Sequence, residues 1–299
     1  MFIVKYRKIF YSISAVLVIG SILSFLFWGL LPGIDFSGGS LLNVSFTENK
    51  PTTEEVKQVL NDLDLGDVSV RPSSEGFILR LKEITPSEKD AILENLSLEG
   101  KYSPIEKTFS SIGPILGKEA IQKSWVSIML VLLAIVLFIA FAFRKVSKPI
   151  SSWVYGLVTI LALSHDVLIP TGVFAFLGHF YGFEVDTLFV TALLVILGFS
   201  VHDTIVVFDR VRENLHKNDD SGNKKDFQTI VGDSINETFV RSINTSLTTL
   251  FAIFMLYILG PDSIKHFSLT LLIGITAGTY SSIFIGSTLL VTINNWKNK

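Results

Sequence analysis

The sequence contains no cysteine. Disulfide staples and thiolate-held metals are thereby excluded, so any domain outside the cell must stand on its own apolar core. Charge is scarce too: only 17% of the 299 residues are Asp, Glu, Lys or Arg, and the net charge is -2. Such a balance gives no electrostatic footprint for nucleic acid. In place of charge stand apolar side chains, 49% of the chain with a mean hydropathy of +0.52, and that composition belongs to an integral membrane protein. Six apolar runs reach the roughly 20 residues that cross a bilayer: 9–31, 125–143, 154–177, 188–208, 239–259 and 267–293.

The sign of the connecting segments orients these spans, because short cytoplasmic loops collect Lys and Arg. Lys5, Arg7 and Lys8 precede the first span, Arg144, Lys145 and Lys148 follow the second, and six basic residues lie from Arg210 to Arg241. Between Gly178 and Asp186 there is no Lys or Arg, and the last loop on that side has Lys265 alone. Both termini are therefore expected in the cytoplasm. The first apolar run exceeds a signal-peptide core and no small-residue cleavage site follows, so it reads as a retained anchor. The expected organisation is a cytoplasmic start over residues 1–8, a first transmembrane helix over 9–31, an extracytoplasmic α/β domain with connectors over 32–123, and five further transmembrane helices with a cytoplasmic C-terminus over 124–299.

Within 32–123, alternation predicts strands over 41–46, 68–70, 77–81 and 102–109. Thr52-Thr53-Glu54-Glu55 and Thr85-Pro86-Ser87-Glu88 read as helix starts. The resulting order β-α-β-β-α-β is that of a ferredoxin-like domain. A surface for an extended polypeptide and a passive spacer are both compatible with it. Its connections to the membrane carry Pro32, Asp35, Gly38 and Gly39 on one side and Gly113 and Gly117 on the other, which read as hinge points or as plain connectors.

Ionisable groups inside the spans carry the functional signal. Asp203 lies six residues inside the charged boundary at Asp209 and Arg210, roughly 9 Å deep at 1.5 Å per residue. A carboxyl at that depth serves as a hydrogen-bonded clamp between helices or marks an ion path. His165 and Asp166 fall near the middle of the third span, where the pair suits proton uptake and release or a purely structural contact. Arg241, Thr245 and Thr248 recur at i, i+4 and i+7 on the fifth span with Asn244 beside them, a polar stripe in reach of Asp203 unless Arg241 snorkels to the interface. The fifth helix is expected to begin near Ile235. Glu184 and Asp186 are expected in solvent, and His202 faces away from Asp203. Gly274, Gly278, Ser282 and Gly286 form a small-residue packing seam for a neighbour in this chain or another.

Three stretches, GIDFSGGSLL over 33–42, HDVLIPTG over 165–172 and GFSVHDTIVVFDRVREN over 198–214, resemble the SecF branch of the SecD/SecF family of Sec protein-export membrane subunits, within the resistance-nodulation-division superfamily. The resemblance implies six transmembrane helices, an exported domain after the first, a SecD-like partner, the SecYEG channel and an exported polypeptide as contacts, and protons as the coupling ion with no other cofactor. It carries a proton-relay role onto Asp203 and Arg241. His202 departs from the Asn that the family pattern leads one to expect, and the segment 216–226 is longer. Independently, transporters of this kind are built from repeats, and no second copy lies within these spans; the missing half is expected in another chain. A subunit of a proton-driven small-molecule efflux transporter is the competing reading, although one small outer domain leaves little room for a substrate pocket. An intramembrane hydrolase using His165 and Asp166 would need a nucleophile or HExxH-type motif, which is missing.

Overall fold

The structure, a computed structural model, describes residues 2–297 except 48, 62, 64, 66, 67, 74, 99, 144–149 and 221–224. The basic cluster Arg144, Lys145 and Lys148, as well as Lys224, Lys299 and part of the 216–226 segment, thus lies outside the described residues. The chain forms two compact units, Pro32–Trp125 and Met1–Leu31 with Val126–Lys299.

The smaller unit runs β1 (Gly39–Phe46), α-helix Thr53–Asn61, β2 (Ser69–Pro72), β3 (Gly76–Leu81), α-helix Pro86–Leu96 and β4 (Pro104–Ile112). Its four strands pair antiparallel in the order β2-β3-β1-β4. Alternation puts Leu42 and Val44 of β1 on the same side as their partners Leu79 and Phe77. That face is closed by Val56 and Leu60 of one helix and Ile92 and Leu96 of the other, one helical turn apart in each case. Both helices start as their sequences require. The Thr85 hydroxyl accepts from the Glu88 amide while the Glu88 carboxylate accepts from the Thr85 amide at 2.7 Å, and Thr52 and Glu55 do the same, with 2.8 Å from the Thr52 amide to the carboxylate.

Those caps carry a pH dependence. The backbone N–H of Thr52, and after it the Thr52 hydroxyl, hold Glu55 below its ordinary pKa, and Thr85 acts likewise on Glu88. Depressed carboxyls stabilise the folded state fully above their ordinary value of about 4.3, and that contribution is lost as pH falls through the folded value. Exchange of the amides in 52–60 and 85–96 of the full chain, corrected for intrinsic rates, should therefore accelerate on acidification below about pH 4 before that of β1 and β3. Equal acceleration everywhere would count against it.

In the larger unit, α1 (Arg7–Trp28), α2 (Pro114–Ala142, entering from the smaller unit), α3 (Ser152–Tyr181), α4 (Thr187–Asp220), α5 (Phe227–Leu259) and a final span from Asp262 to Lys297 are long and apolar enough to cross a membrane. The third, fourth and sixth spans form the centre, with 50%, 44% and 67% of their apolar windows buried, against 6% for α2 and 11% for α5. The sixth span is α6 (Lys265–Tyr280), a π-helical stretch Ser281–Gly286 and α7 (Ser287–Lys297). Its small residues pack within this chain. A Cβ on Gly274 would come within 2.1 Å of Ile196 and one on Gly278 within 3.0 Å of Ser200, both on α4.

Two expectations are corrected. The fifth helix begins at Phe227, not near Ile235, because Ile230, Val231 and Ile235 continue its apolar face against Val207, Val211 and Leu215 of α4 beyond the membrane-length run. Asp186 is not simply solvated: its carboxylate accepts the Phe189 amide at 2.7 Å and caps α4.

At Gly172 of α3 an added Cβ would meet the Ser21 Cα at 2.3 Å, and Ser24 donates to the Gly172 carbonyl at 2.7 Å. Backbone cannot yield as a side chain tip can. Gly172→Val should cost roughly 1–3 kcal/mol or more by overpacking and lower the melting temperature in detergent, whereas Gly198→Val, which points into open space, should not. Equal melting of the two would refute the close packing of α1 on α3.

Candidate functional site

Two carboxylates are buried in the centre of the larger unit. Asp166 on α3 is fully buried and Asp203 on α4 is 2% exposed. Asp166 is saturated with donors. The His165 ring Nδ1 lies 2.8 Å from Asp166 Oδ1, and Ser281 donates to Oδ2 at 2.8 Å alongside Ser200. With Asp166 ionised, His165 carries its proton on Nδ1, and its Nε2 is left buried without a hydrogen-bond partner among the described residues. Gly278 gives the cluster room, since a Cβ there would come within 3.0 Å of the Ser200 Cβ and 3.5 Å of Asp166 Oδ2.

Asp203 has a sparser setting. Ser246 on α5 donates to Oδ2 at a long 3.4 Å, and Thr279 on α6 reaches Ser246 at 2.7 Å. The Thr279 hydroxyl also lies 2.8 Å from the Ile275 carbonyl of its own helix. One hydroxyl proton serves only one acceptor at a time, so Thr279 has two alternative bonds. Two helices, α5 and α6, thus supply the hydroxyl chain that reaches Asp203, and each of the two hydroxyls can be donor or acceptor.

Helix α5 proves to have two polar faces. Ser234, Thr238, Ser242 and Ser246 recur every fourth residue and are all buried, and the last of them meets Asp203. Arg241, Asn244 and Thr248 lie exposed on the other side, with Thr245 at the border. No hydrogen bond or ion pair joins Arg241 to Asp203; its charge reaches the carboxyl only through space. The sequence reading singled out the outer stripe and passed over the inner one, although the Ser-Thr-Ser-Ser spacing was there to be seen. His202 is exposed, turned away from the cluster as expected.

The joint residues fall in a tight arrangement of the smaller unit. Asp35 lies in the single turn Ile34–Ser37, and Gly38 and Gly39 follow with φ of 74° and 114°. A Cβ on Gly38 would meet Pro114 Cα at 2.9 Å, and one on Gly117 would meet the Phe36 carbonyl at 2.8 Å. Gly113 does precede a break, between β4 and α2, but Gly117 sits inside α2 rather than at a soft point of a connector. It is there because two backbones touch.

Comparison with known proteins shows the family. The family described as "Protein export membrane protein SecD/SecF, C-terminal" matches residues 94–296. The chain belongs to the SecD/SecF family. It is 44% identical to "Protein translocase subunit SecF" of Thermobaculum terrenum, covering 99% of this chain and 94% of that one, and 34% identical to the protein of the same name from Synechocystis, covering 98% and 94%. Among solved structures it is similar to SecDF of Thermus thermophilus, titled a translocon-associated membrane protein, with a TM-score of 0.83 and 27% identity over 99% of this chain. The chain spans 38% of that longer one. Family membership and six apolar helices make this a multi-pass membrane protein of the SecD/SecF type, with both buried carboxylates inside the span of the family match.

Proposed function

We propose that the chain is an accessory subunit of the Sec protein translocase that, with a SecD-like partner, uses the proton motive force to promote polypeptide export through SecYEG. In this reading it lies in the cytoplasmic membrane with both termini inside, protons are its only coupling ligand, and it performs no covalent catalysis. The observation that carries the reading is the pair of carboxyls, Asp203 and Asp166, kept inside the bundle at a cost that a passive subunit would not need.

Asp203 is the proton-carrying group, and His165 with Asp166 forms a second site. Arg241 completes the relay from the face of α5 that this chain leaves uncovered. A polar stripe on a helix surrounded by lipid demands a polar neighbour, and the SecD-like partner is the occupant that the length of the Thermus SecDF chain suggests. The smaller unit, ferredoxin-like in strand order, is the extracytoplasmic part that contacts the exported polypeptide. It moves about the joint that contains Asp35, Gly38, Gly39 and Gly113, against which Gly117 packs from inside α2.

Co-purification tests the assembly. A SecD-like subunit and SecYEG should be recovered with the tagged chain from gentle detergent, and Arg241→Ala should reduce recovery of the SecD-like subunit severalfold while the variant itself remains folded. Recovery of neither from unmodified membranes would defeat the proposal.

A further inference from the structure

The two buried carboxylates reach the same short piece of the sixth span. Asp203 connects through Ser246 to Thr279, and Asp166 accepts directly from Ser281, two residues further along. Both hydroxyls have a second acceptor on their own helix: Ile275 O at 2.8 Å for Thr279 and Gly278 O at 3.1 Å for Ser281. Immediately beyond, the helix changes from α to π over Ser281–Gly286. Hydroxyls that bond back to a preceding carbonyl bend helices, and π segments mark places where the backbone ladder has alternative arrangements.

We propose that Thr279 and Ser281 are positioning residues that couple the protonation of Asp203 to that of Asp166 through the Gly278–Ser282 backbone. With Asp203 ionised, Thr279 donates to Ser246 and Ser246 donates to the carboxylate. With Asp203 protonated, the carboxyl donates to Ser246, Ser246 donates to Thr279, and Thr279 turns its proton to the Ile275 carbonyl. Apart from the O–H bond formed when Asp203 takes up its proton, only hydrogen bonds change, and each hydroxyl oxygen keeps one proton. The same choice is open to Ser281 between Asp166 and Gly278 O. Since the Ile275 and Gly278 carbonyls belong to consecutive turns of one helix, a bond gained at one alters the backbone that sets the other.

The charged and titratable groups around this segment are few. His202 and Arg241 act on Asp203 through space, His165 binds Asp166, and Tyr280, on the segment itself, stacks on His165 and donates to the Phe10 carbonyl at 2.8 Å. None bridges the two carboxylates. The inference rests on the proposed relay, and its test separates the two.

Infrared difference spectra of the full chain in lipid nanodiscs, recorded against pH, resolve carboxyl and carboxylate stretches, assigned with Asp203→Asn and Asp166→Asn. The readout is crossed. Thr279→Val should move the Asp166 bands, which it does not touch, and Ser281→Ala should move the Asp203 bands and the pH at which they change. Thr279→Ser, which keeps the hydroxyl, should restore the original spectrum and so distinguishes loss of the bond from misfolding. Shifts confined to the nearer carboxylate in both variants would overturn the coupling and leave the relay standing. No protonation change at either carboxylate in the unmodified chain would overturn both.

Discussion

Asp203→Asn is expected to fold, insert and assemble as the unmodified chain does while losing the whole of its proton-dependent stimulation of export. The change preserves size and hydrogen-bonding shape but removes the titratable proton. Its structural cost should be small because, among the described residues, Asp203 holds only the 3.4 Å bond from Ser246, and an amide oxygen can also accept that bond. The measurement is export of a Sec substrate into inverted membrane vesicles with and without a proton gradient, using complexes matched for subunit content. An Asn variant that still responds to the gradient at the normal rate would remove Asp203 from the relay.

Asp166→Ala should behave in the opposite manner and fail at folding. It strands two donors, the His165 Nδ1–H and the Ser200 hydroxyl, in a place without solvent, and leaves Ser281 only the Gly278 carbonyl of its own helix. Each buried group left without its partner costs about 1–3 kcal/mol. A large fall in detergent melting temperature and in the yield of monodisperse protein is expected, with Asp203→Asn as the unaffected comparison. If both variants melted together with the unmodified chain, the description of Asp166 as the saturated centre of the bundle would be wrong.

In the proposed relay, two carboxyls also meet an energetic need. One proton crossing a potential on the order of 100 mV yields about 2.3 kcal/mol, and a pH difference of about one unit adds roughly 1.4. Taking a two-state element from 1:99 to 99:1 requires about 5.5 kcal/mol. A single proton biases such an element, whereas two can throw it. The structural link between Asp203 and Asp166 through α6 is where two such protons would act together.

Much of this was readable from residue order because it rests on local rules. Apolar run lengths gave six spans, the Thr-x-x-Glu boxes gave the two helix starts of the smaller unit, and the alternation around Leu42 and Val44 gave a strand. Asp203 and Asp166 stood out because hydrocarbon tolerates so few carboxyls. The donors around them did not, since which of Ser242, Ser246 or Thr245 meets Asp203 depends on how α5 is rotated against α4, and no local spacing fixes that. The π segment likewise answers to tertiary packing: Ser281 turns to Asp166, and nothing in the residues 281–286 alone requires it. The early start of α5 was lost for a different reason. A search for membrane-length apolar runs ignores Ile230, Val231 and Ile235, which pack on α4 beyond the long run.

Proton flux through the reconstituted complex is the most direct test of the central claim. Vesicles containing the chain with its SecD-like partner and SecYEG, given a proton gradient and a translocating polypeptide, should show a flux that rises with export and is abolished by Asp203→Asn. Equal flux from the unmodified and Asn complexes, at equal subunit content, would contradict the assignment of Asp203 as the proton carrier.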